Sequence, residues 1–293
     1  VAELVTGLSA GAAYALVAVG IVLIFKGTGA LSFAQGEIGA FGLFVGLRSA
    51  ARGVPGVGWH LPLLLVLVVA VVIGALLGLV TERLVMRRLV RRPPLEGVIA
   101  TLGIALFLAL LEKQWFGTAS QFAPSPVGSW RVHVLGATLT SERVVAMLAA
   151  AAVAFALFAF LERTRFGLAV RAATDDAEVA RLLGVPVDQV YRFAWVLGGA
   201  LAGLAAALLA PAFGGLTPFA QTSFSIRSLA GAVIGGLDSV WGAILGSLAV
   251  GVMETMVKSH VSGGGTDSLA VLVLVVVTLV VRPSGVLGTA GAA

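Results

Sequence analysis

An all-α, polytopic transmembrane helical bundle is the fold this 293-residue chain predicts, on three observations. Hydrophobic residues make up 59% and charged residues 11%, with a mean hydropathy of +1.07, whereas about a quarter of an ordinary soluble domain is charged. Apolar runs recur at the length of about 20 residues that a bilayer crossing requires. Many of the 38 glycines lie inside those runs four residues apart, as Gly7/Gly11, Gly42/Gly46, Gly74/Gly78, Gly199/Gly203, Gly231/Gly235 and Gly242/Gly246. That spacing lets helix backbones approach closely in lipid, where no hydrophobic force drives helices together.

The first run, Leu4–Phe25, is too long for a signal-peptide core and has no basic leader or cleavage site, so it reads as a true span. Val1 in place of methionine predicts that a short natural lead precedes it. Next comes Leu31–Leu47, shorter and interrupted, with Gln35 and Glu37 among Gly36, Gly39, Gly42 and Gly46. Leu61–Val80, Leu95–Leu111, Val144–Leu161, Phe193–Pro211, Val240–Met256 and Leu269–Val281 read as conventional spans. Ile226–Leu237 is the second interrupted segment and ends in Gly235–Gly236 and Asp238. Counting both gives eight or nine passes in one domain, residues 1–293. The interrupted segments occupy comparable places in the two halves, which points to an internal repeat with a solute path built from broken helices.

Basic residues set the orientation. Arg83, Arg87, Arg88, Arg91 and Arg92 form one cluster, and Arg163, Arg165, Arg171, Arg181 and Arg192 a second, together ten of the 19 basic residues. Both are cytoplasmic by the positive-inside rule, with Lys26 and Arg282. Residues 112–143 then form an external loop and 162–192 a cytoplasmic one. The N-terminus lies outside and the C-terminus inside, which nine passes satisfy if Ile226–Leu237 crosses and joins the next span through Asp238–Ser239. The same arginine excess accounts for the formal charge of +5 and removes any need for a nucleic-acid partner. Pro124, Pro126, Gly128, Trp130 and the alternating Arg131–Leu135 predict a short external hairpin, with Trp115 and Trp130 suited to the lipid headgroups.

Within the cytoplasmic loop, Gly167–Gln189 is a polar, helix-forming island. Thr174 offers an N-cap, Asp175, Asp176 and Glu178 favour the positive end of a helix, and Gly184 and Pro186 supply the stop. The pattern predicts one helix, Thr174–Leu183, with a small apolar side of Val179, Ala180, Leu182 and Leu183. A helix so short needs a partner surface.

Ionisable groups inside a span are costly and demand a reason. Glu37 either lines a solute path or caps a helix end, and Asp238 reads more naturally as a turn or cap residue. Ser32, Gln35, Glu37, Thr101, Ser225 and Ser228 are the candidate path residues, polar groups able to meet a zwitterion. The three histidines, His60, His133 and His260, have no metal-binding spacing, and there is no cysteine to form a disulfide or thiolate site. No G-x-x-x-x-G-K-[ST] loop, G-x-S-x-G elbow or H-E-x-x-H helix is present, so any ATP consumed in transport must be hydrolysed on another chain.

Five ordered motifs carry a resemblance. Gly7-Leu8-Ser9-Ala10-Gly11-Ala12-Ala13-Tyr14-Ala15-Leu16 opens the chain, and Leu31-Ser32-Phe33-Ala34-Gln35-Gly36-Glu37 is similar to an N-F-A-x-G-[DE] motif. Gly167-x-x-x-Arg171-Ala172 through Ala180-x-x-x-Gly184 resembles a coupling loop. Ala232–Ser239 with Gly242-Ala243 resembles a G-G-x-x-S-x-x-G-A turn, and Arg282–Gly288 a closing signature. Together they resemble the permease subunits of bacterial ABC importers for branched-chain amino acids, and the first of the two paired permeases more than the second.

The resemblance implies a multi-pass protein of the bacterial cytoplasmic (inner) membrane. Its partners would be a second homologous permease subunit, two cytoplasmic ATP-binding subunits, a periplasmic or lipid-anchored solute-binding protein and membrane lipid. It implies no cofactor on this chain, with ATP and Mg on partner subunits, and ATPase coupling through Arg171, Ala172, Asp175, Asp176, Ala180 and Gly184. Ser32 stands where the family has Asn, and Asp238 where Gly is common, so permeases for urea, amides or other small acids stay open as alternatives. An ion-coupled secondary transporter or channel using Glu37 is the rival of a different class, and a membrane-embedded enzyme the third.

Overall fold

The computed structural model of the protein describes residues 2–52, 63–89, 92–120, 130–134, 137–212, 220–261 and 265–288. Leu61 at the start of one expected span, His60, Arg91, the loop residues Pro124, Pro126 and Gly128, and Leu135 lie outside them. The chain runs α1 (Ala2–Thr28), α2 (Gln35–Arg52), α3 (Leu63–Thr81), a π-helical turn (Glu82–Met86), α4 (Arg87–Leu89) and α5 (Pro94–Phe116). A two-stranded antiparallel hairpin follows, β1 (Arg131–Val134) with β2 (Ala137–Thr140), pairing Arg131 with Thr140 and Val134 with Ala137. Then come α6 (Ser141–Arg163), α7 (Arg165–Asp175), α8 (Ala177–Leu182), α9 (Val187–Ala212), α10 (Ala220–Gly235), α11 (Val240–His260) and α12 (Thr266–Val281).

The glycine pairs account for the packing. A Cβ on Gly7 would stand 2.6 Å from Val252 Cα, and one on Gly11 2.6 Å from Leu248 Cα, so α1 lies directly on the α11 backbone. Gly42 and Gly46 do the same for α2 against Ala70 and Val66 of α3. On α3, Gly74 and Gly78 meet Gly199 and Trp195 of α9, while Gly203 meets Ala70. Gly231 and Gly235 interlock with Ser247, Gly242 and Gly246 across α10 and α11. All six predicted pairs are thus helix contacts. Gly103 on α5 has nothing within 4 Å, and that helix turns Leu95, Ile99, Leu102, Leu106 and Leu110 outward.

Among the described residues, six helices are long and apolar enough to cross a membrane: Glu3–Thr28, Leu64–Leu89, Leu95–Phe116, Arg143–Arg163, Val187–Leu208 and Val240–His260. Ser223–Gly235 and Thr266–Val281 are shorter apolar helices. The expected Leu269–Val281 span is therefore one of the short ones, about 24 Å long at 1.5 Å per residue against a hydrocarbon core of about 30 Å. Several expected boundaries move. The helix expected at Phe193 starts at Val187, and Ile226–Leu237 becomes a continuous helix from Ala220 to Gly235. The first interrupted segment is helical only from Gln35, because Gly29 takes a φ of +68° and residues 30–34 run without helix behind it. The second interruption falls between helices, where Gly236 (φ +113°) turns the chain toward Ser239, whose side chain accepts the Gly242 N–H at 3.0 Å. Ser239 and not Asp238 is thus the α11 cap.

Contacts sort the helix ends into two sets. At one end Thr174 Oγ1 donates to the Lys26 carbonyl at 2.7 Å, Arg87 and Arg181 meet Asp188, and Val286 and Leu287 donate to the carbonyls of Ile234 and Gly235. At the other, His260 lies 3.9 Å from Glu3, and an Arg48 guanidinium donates to the Trp115 carbonyl. Lys26, Arg87, Arg181 and Arg282 share the first end, as the orientation argument required.

Candidate functional site

The non-helical residues 30–34, after Gly29, pass beside α5. Thr101 Oγ1 accepts the Phe33 N–H at 3.4 Å and lies 3.2 Å and 3.0 Å from the carbonyls of Leu31 and Val98. Gln35 then opens α2, its Nε2 donating to Ser32 Oγ at 3.5 Å. Ser32, Gln35, Glu37 and Thr101 are all buried, and Gln35 Oε1 has no hydrogen-bond partner. A Cβ on Gly39 would overlap the Ala202 carbonyl oxygen, so the first turns of α2 rest on the backbone of α9. Four of the six candidate path residues therefore come together around the start of α2.

Ser225 and Ser228 are separate from that group. Both are buried on α10, which packs against α2, and neither hydroxyl has a hydrogen-bond partner. Asp238 sits at the basic end, in the wall of a crevice of about 380 Å³ shared with Lys26, Thr174, Asp175, Asp176 and Tyr191.

The polar island is two helices where the pattern predicted one. Thr174 is not a cap: it lies inside α7, with its hydroxyl held between the carbonyls of Lys26 and Val170. Asp176, extended at φ −155°, caps α8 by accepting the N–H groups of Glu178 and Val179 at 2.8 Å and 3.0 Å. The stop is as expected. Gly184 has φ +84°, its N–H reaches the Arg181 carbonyl, and the Val185 N–H reaches Ala180, which closes the last turn on a residue free of Cβ strain. Upstream, Thr164 caps α7 through the Gly167 N–H at 2.9 Å.

Burial redistributes the candidate coupling residues. Ala180 is 2% exposed and packs inward with Val170, Ala173, Val187, Val190 and Tyr191. Leu182 at 87% and Leu183 at 77% exposed, with Leu168 and Val179, form the outward apolar face. Asp175, Asp176 and Gly184 are exposed, Arg171 pairs with Glu162 at 3.2 Å, and Ala172 is half-buried. Asp188 ties Arg181 of α8 at 3.4 Å to Arg87 of α4 at 3.1 Å.

Two features lay outside the candidates drawn from the sequence. Glu112 is fully buried on α5, which packs against α2. Arg227 on α10 meets Glu254 at 3.1 Å and Asp267 at 3.3 Å, Lys258 bridges the same two carboxylates at 2.6 Å and 3.2 Å, and the Tyr14 hydroxyl donates to Glu254 at 2.7 Å. The signal was there: Arg227 and Glu254 are charges inside expected spans, and Glu254/Lys258 have the i,i+4 spacing of a helix pair. Two positive and two negative charges balance, so this network joins α1, α10, α11 and α12 without an unpaired buried ion. Among the described residues no group of three or more His, Cys, Asp or Glu could hold a metal.

A family model described as branched-chain amino acid transport system / permease component matches residues 3–282. The high-affinity branched-chain amino acid transport system permease protein LivH of Escherichia coli (strain K12) is 30% identical, over 98% of this chain and 94% of that protein. The corresponding BraD of Pseudomonas aeruginosa is 28% identical over 98% and 95%. Among solved structures, PsaBC from Streptococcus pneumoniae in complex with Fab superposes with a TM-score of 0.52 at 13% identity, covering 97% of this chain and 93% of that one. At that identity the likeness is one of fold.

Proposed function

The chain belongs to the branched-chain amino acid transport permease family, and on that premise we propose that it carries leucine, isoleucine, valine or a similar small amino acid inward as one permease of a larger importer. A second homologous permease, two ATP-binding subunits and an external solute-binding protein complete the assembly, and ATP is hydrolysed on those other chains. The observation that carries this reading is the apolar face of Leu182 and Leu183, displayed on a capped pair of helices at the basic end of a membrane bundle. Water is a poor partner for such a face.

Force on α8 has a route inward. The Arg181–Asp188–Arg87 ion pairs are exposed and worth about 1 kcal/mol or less each, so they orient the elements more than they hold them. The apolar cluster of Val170, Ala173, Ala180, Val187, Val190 and Tyr191 does the holding. It joins α7 and α8 to α9, which is interlocked with α3 through glycines and supports α2 at Gly39. A push on α8 thereby reaches the turn that carries Ser32, Gln35 and Glu37. The test is to purify the chain with its co-expressed partners and measure which solutes, presented on the binding protein, stimulate ATP hydrolysis. Stimulation by urea or a short amide, but not by leucine, would refute the amino-acid assignment.

Orientation is checked by labelling, since the chain has no cysteine. Glu178→Cys on α8 should resist a membrane-impermeant thiol reagent on intact cells, and Ser120→Cys beyond α5 should react. The opposite pattern would invert the topology.

Selection in this reading belongs to the binding protein, while the path binds weakly so that solute is released. Ser32→Ala and Gln35→Ala should therefore lower the maximal uptake rate by about tenfold, the equivalent of ~1.4 kcal/mol, with little change in apparent affinity. Reconstituted uptake over a range of loaded binding protein separates the two parameters. A switch in solute preference at unchanged maximal rate would make these residues a selectivity site.

A further inference from the structure

We propose that Arg227 is a latch. Its ion pairs hold the half of α10 that carries Ser225 and Ser228 against α11 and α12, and their release lets that half swing about the glycine seam at the other end of the helix. The inference adds a moving part to the transport reading and rests on that reading only in what the movement admits.

α10 is fastened differently at its two ends. Toward the basic end, a Cβ on Gly235 would overlap the Gly242 carbonyl and one on Gly246 the Gly231 carbonyl, so backbone lies on backbone. The segment after α12 reinforces that seam, with the N–H groups of Val286 and Leu287 donating to the carbonyls of Ile234 and Gly235. Those two are among the carbonyls that a helix C-terminus leaves unpaired. From Ala220 to Ala230 there is no glycine, and side chains hold the helix instead. The Phe224 ring lies 5.3 Å from that of Tyr14, and Arg227 reaches Glu254 of α11 and Asp267 of α12.

The wiring of the charges makes Arg227 the detachable member. It is the one charged residue of α10, and its guanidinium is spread over three partners. Nε faces Glu254 at 3.1 Å without the alignment of a hydrogen bond, Nη2 donates to Asp267 at 3.3 Å, and Nη1 donates to the Ser223 carbonyl of its own helix at 3.3 Å. Neither carboxylate depends on it. Glu254 keeps Lys258 at 2.6 Å and the Tyr14 hydroxyl at 2.7 Å, and Asp267 keeps Lys258 at 3.2 Å. α11 and α12 therefore stay joined when Arg227 leaves, and only α10 is let go. Breaking a buried ion pair is costly chiefly because it strands a charge. Here Glu254 retains a cation and a donor, while Arg227, 19% exposed in a network that includes the 57% exposed Lys258, has a short way to water. A tight seam at one end and an exchangeable polar contact at the other is the construction of a hinged element.

Distances between spin labels in the assembled importer test this, since the chain has no cysteine of its own. Labels on Ser223→Cys and Leu272→Cys report α10 against α12, and labels on Met256→Cys and Leu272→Cys report α11 against α12; all three positions are exposed. Arg227→Gln should shift the Ser223–Leu272 distribution to longer, broader distances and leave Met256–Leu272 unchanged. Lys258→Gln should leave the Ser223–Leu272 distribution as it is. An unchanged Ser223–Leu272 distribution in Arg227→Gln would overturn the proposal. Broadening of both pairs would overturn it too, since the network would then be a staple of the whole bundle. Should Arg227→Gln not assemble, the same labels on the chain with Arg227 intact decide the matter as leucine-loaded binding protein docks: a longer Ser223–Leu272 distance supports the latch, and no change overturns it. If Arg227→Gln moves the labels as expected while no amino acid stimulates ATP hydrolysis, the latch stands and the transport reading falls.

Discussion

Gly199→Ala should leave little folded permease, whereas Gly103→Ala should fold as well as the parent or slightly better. By helix propensity alone both changes are favourable by about 1 kcal/mol. The difference lies in what the added methyl meets. At Gly199 it would overlap the Gly74 carbonyl group, backbone that cannot rotate away, and α3 and α9 would have to separate along the whole Gly74/Gly78–Gly199/Gly203 contact. Overpacking of this kind costs roughly 1–3 kcal/mol where side chains can yield, and here none can. At Gly103 nothing lies within 4 Å. Size-exclusion profiles after graded heating in detergent measure the effect, and equal melting of the two variants would show that the α3–α9 interlock does not hold the bundle.

Leu182→Asp with Leu183→Asp should uncouple the importer while leaving the chain folded and in the membrane. Both side chains are exposed, so the charges cost the isolated bundle little, but they place unpaired carboxylates in the surface proposed to dock on the ATP-binding subunits. Loss of apolar anchors should weaken docking by about tenfold or more, equivalent to more than ~1.4 kcal/mol. Solute-stimulated ATP hydrolysis should fall accordingly, with normal elution of the permease itself. Ala180→Glu offers the contrast. Its charge would enter the buried cluster with Val187, Val190 and Tyr191, so it should lower stability before it affects coupling. Normal stimulated hydrolysis in the Leu182/Leu183 variant would mean that α8 is a solvated turn.

The legible part of the site was local. That Ser32, Gln35, Glu37 and Thr101 are costly polar groups in apolar runs could be read residue by residue, and they are buried together. The burial of Glu112 could not be read, because it closed an apolar run at a boundary where a charge needs no explanation. Thr174 failed as a cap for a related reason: a threonine can bond its own helix or a distant carbonyl, and proximity to Lys26 made the second choice available.

Composition, run length and glycine spacing by themselves determined a polytopic helical bundle, its close-packed glycine faces and the sorting of basic residues to one end. These follow from the cost of unsatisfied backbone and charge in hydrocarbon, a cost each segment meets on its own. Only the tertiary structure decided which glycine pair meets which, where the first interrupted segment becomes helical, and which residues of α8 face outward. It also decided that Glu112 is fully buried and that Arg227, Glu254, Lys258 and Asp267 neutralise one another. Those choices depend on the rotation and depth of one helix against another, and neither is encoded within a single segment.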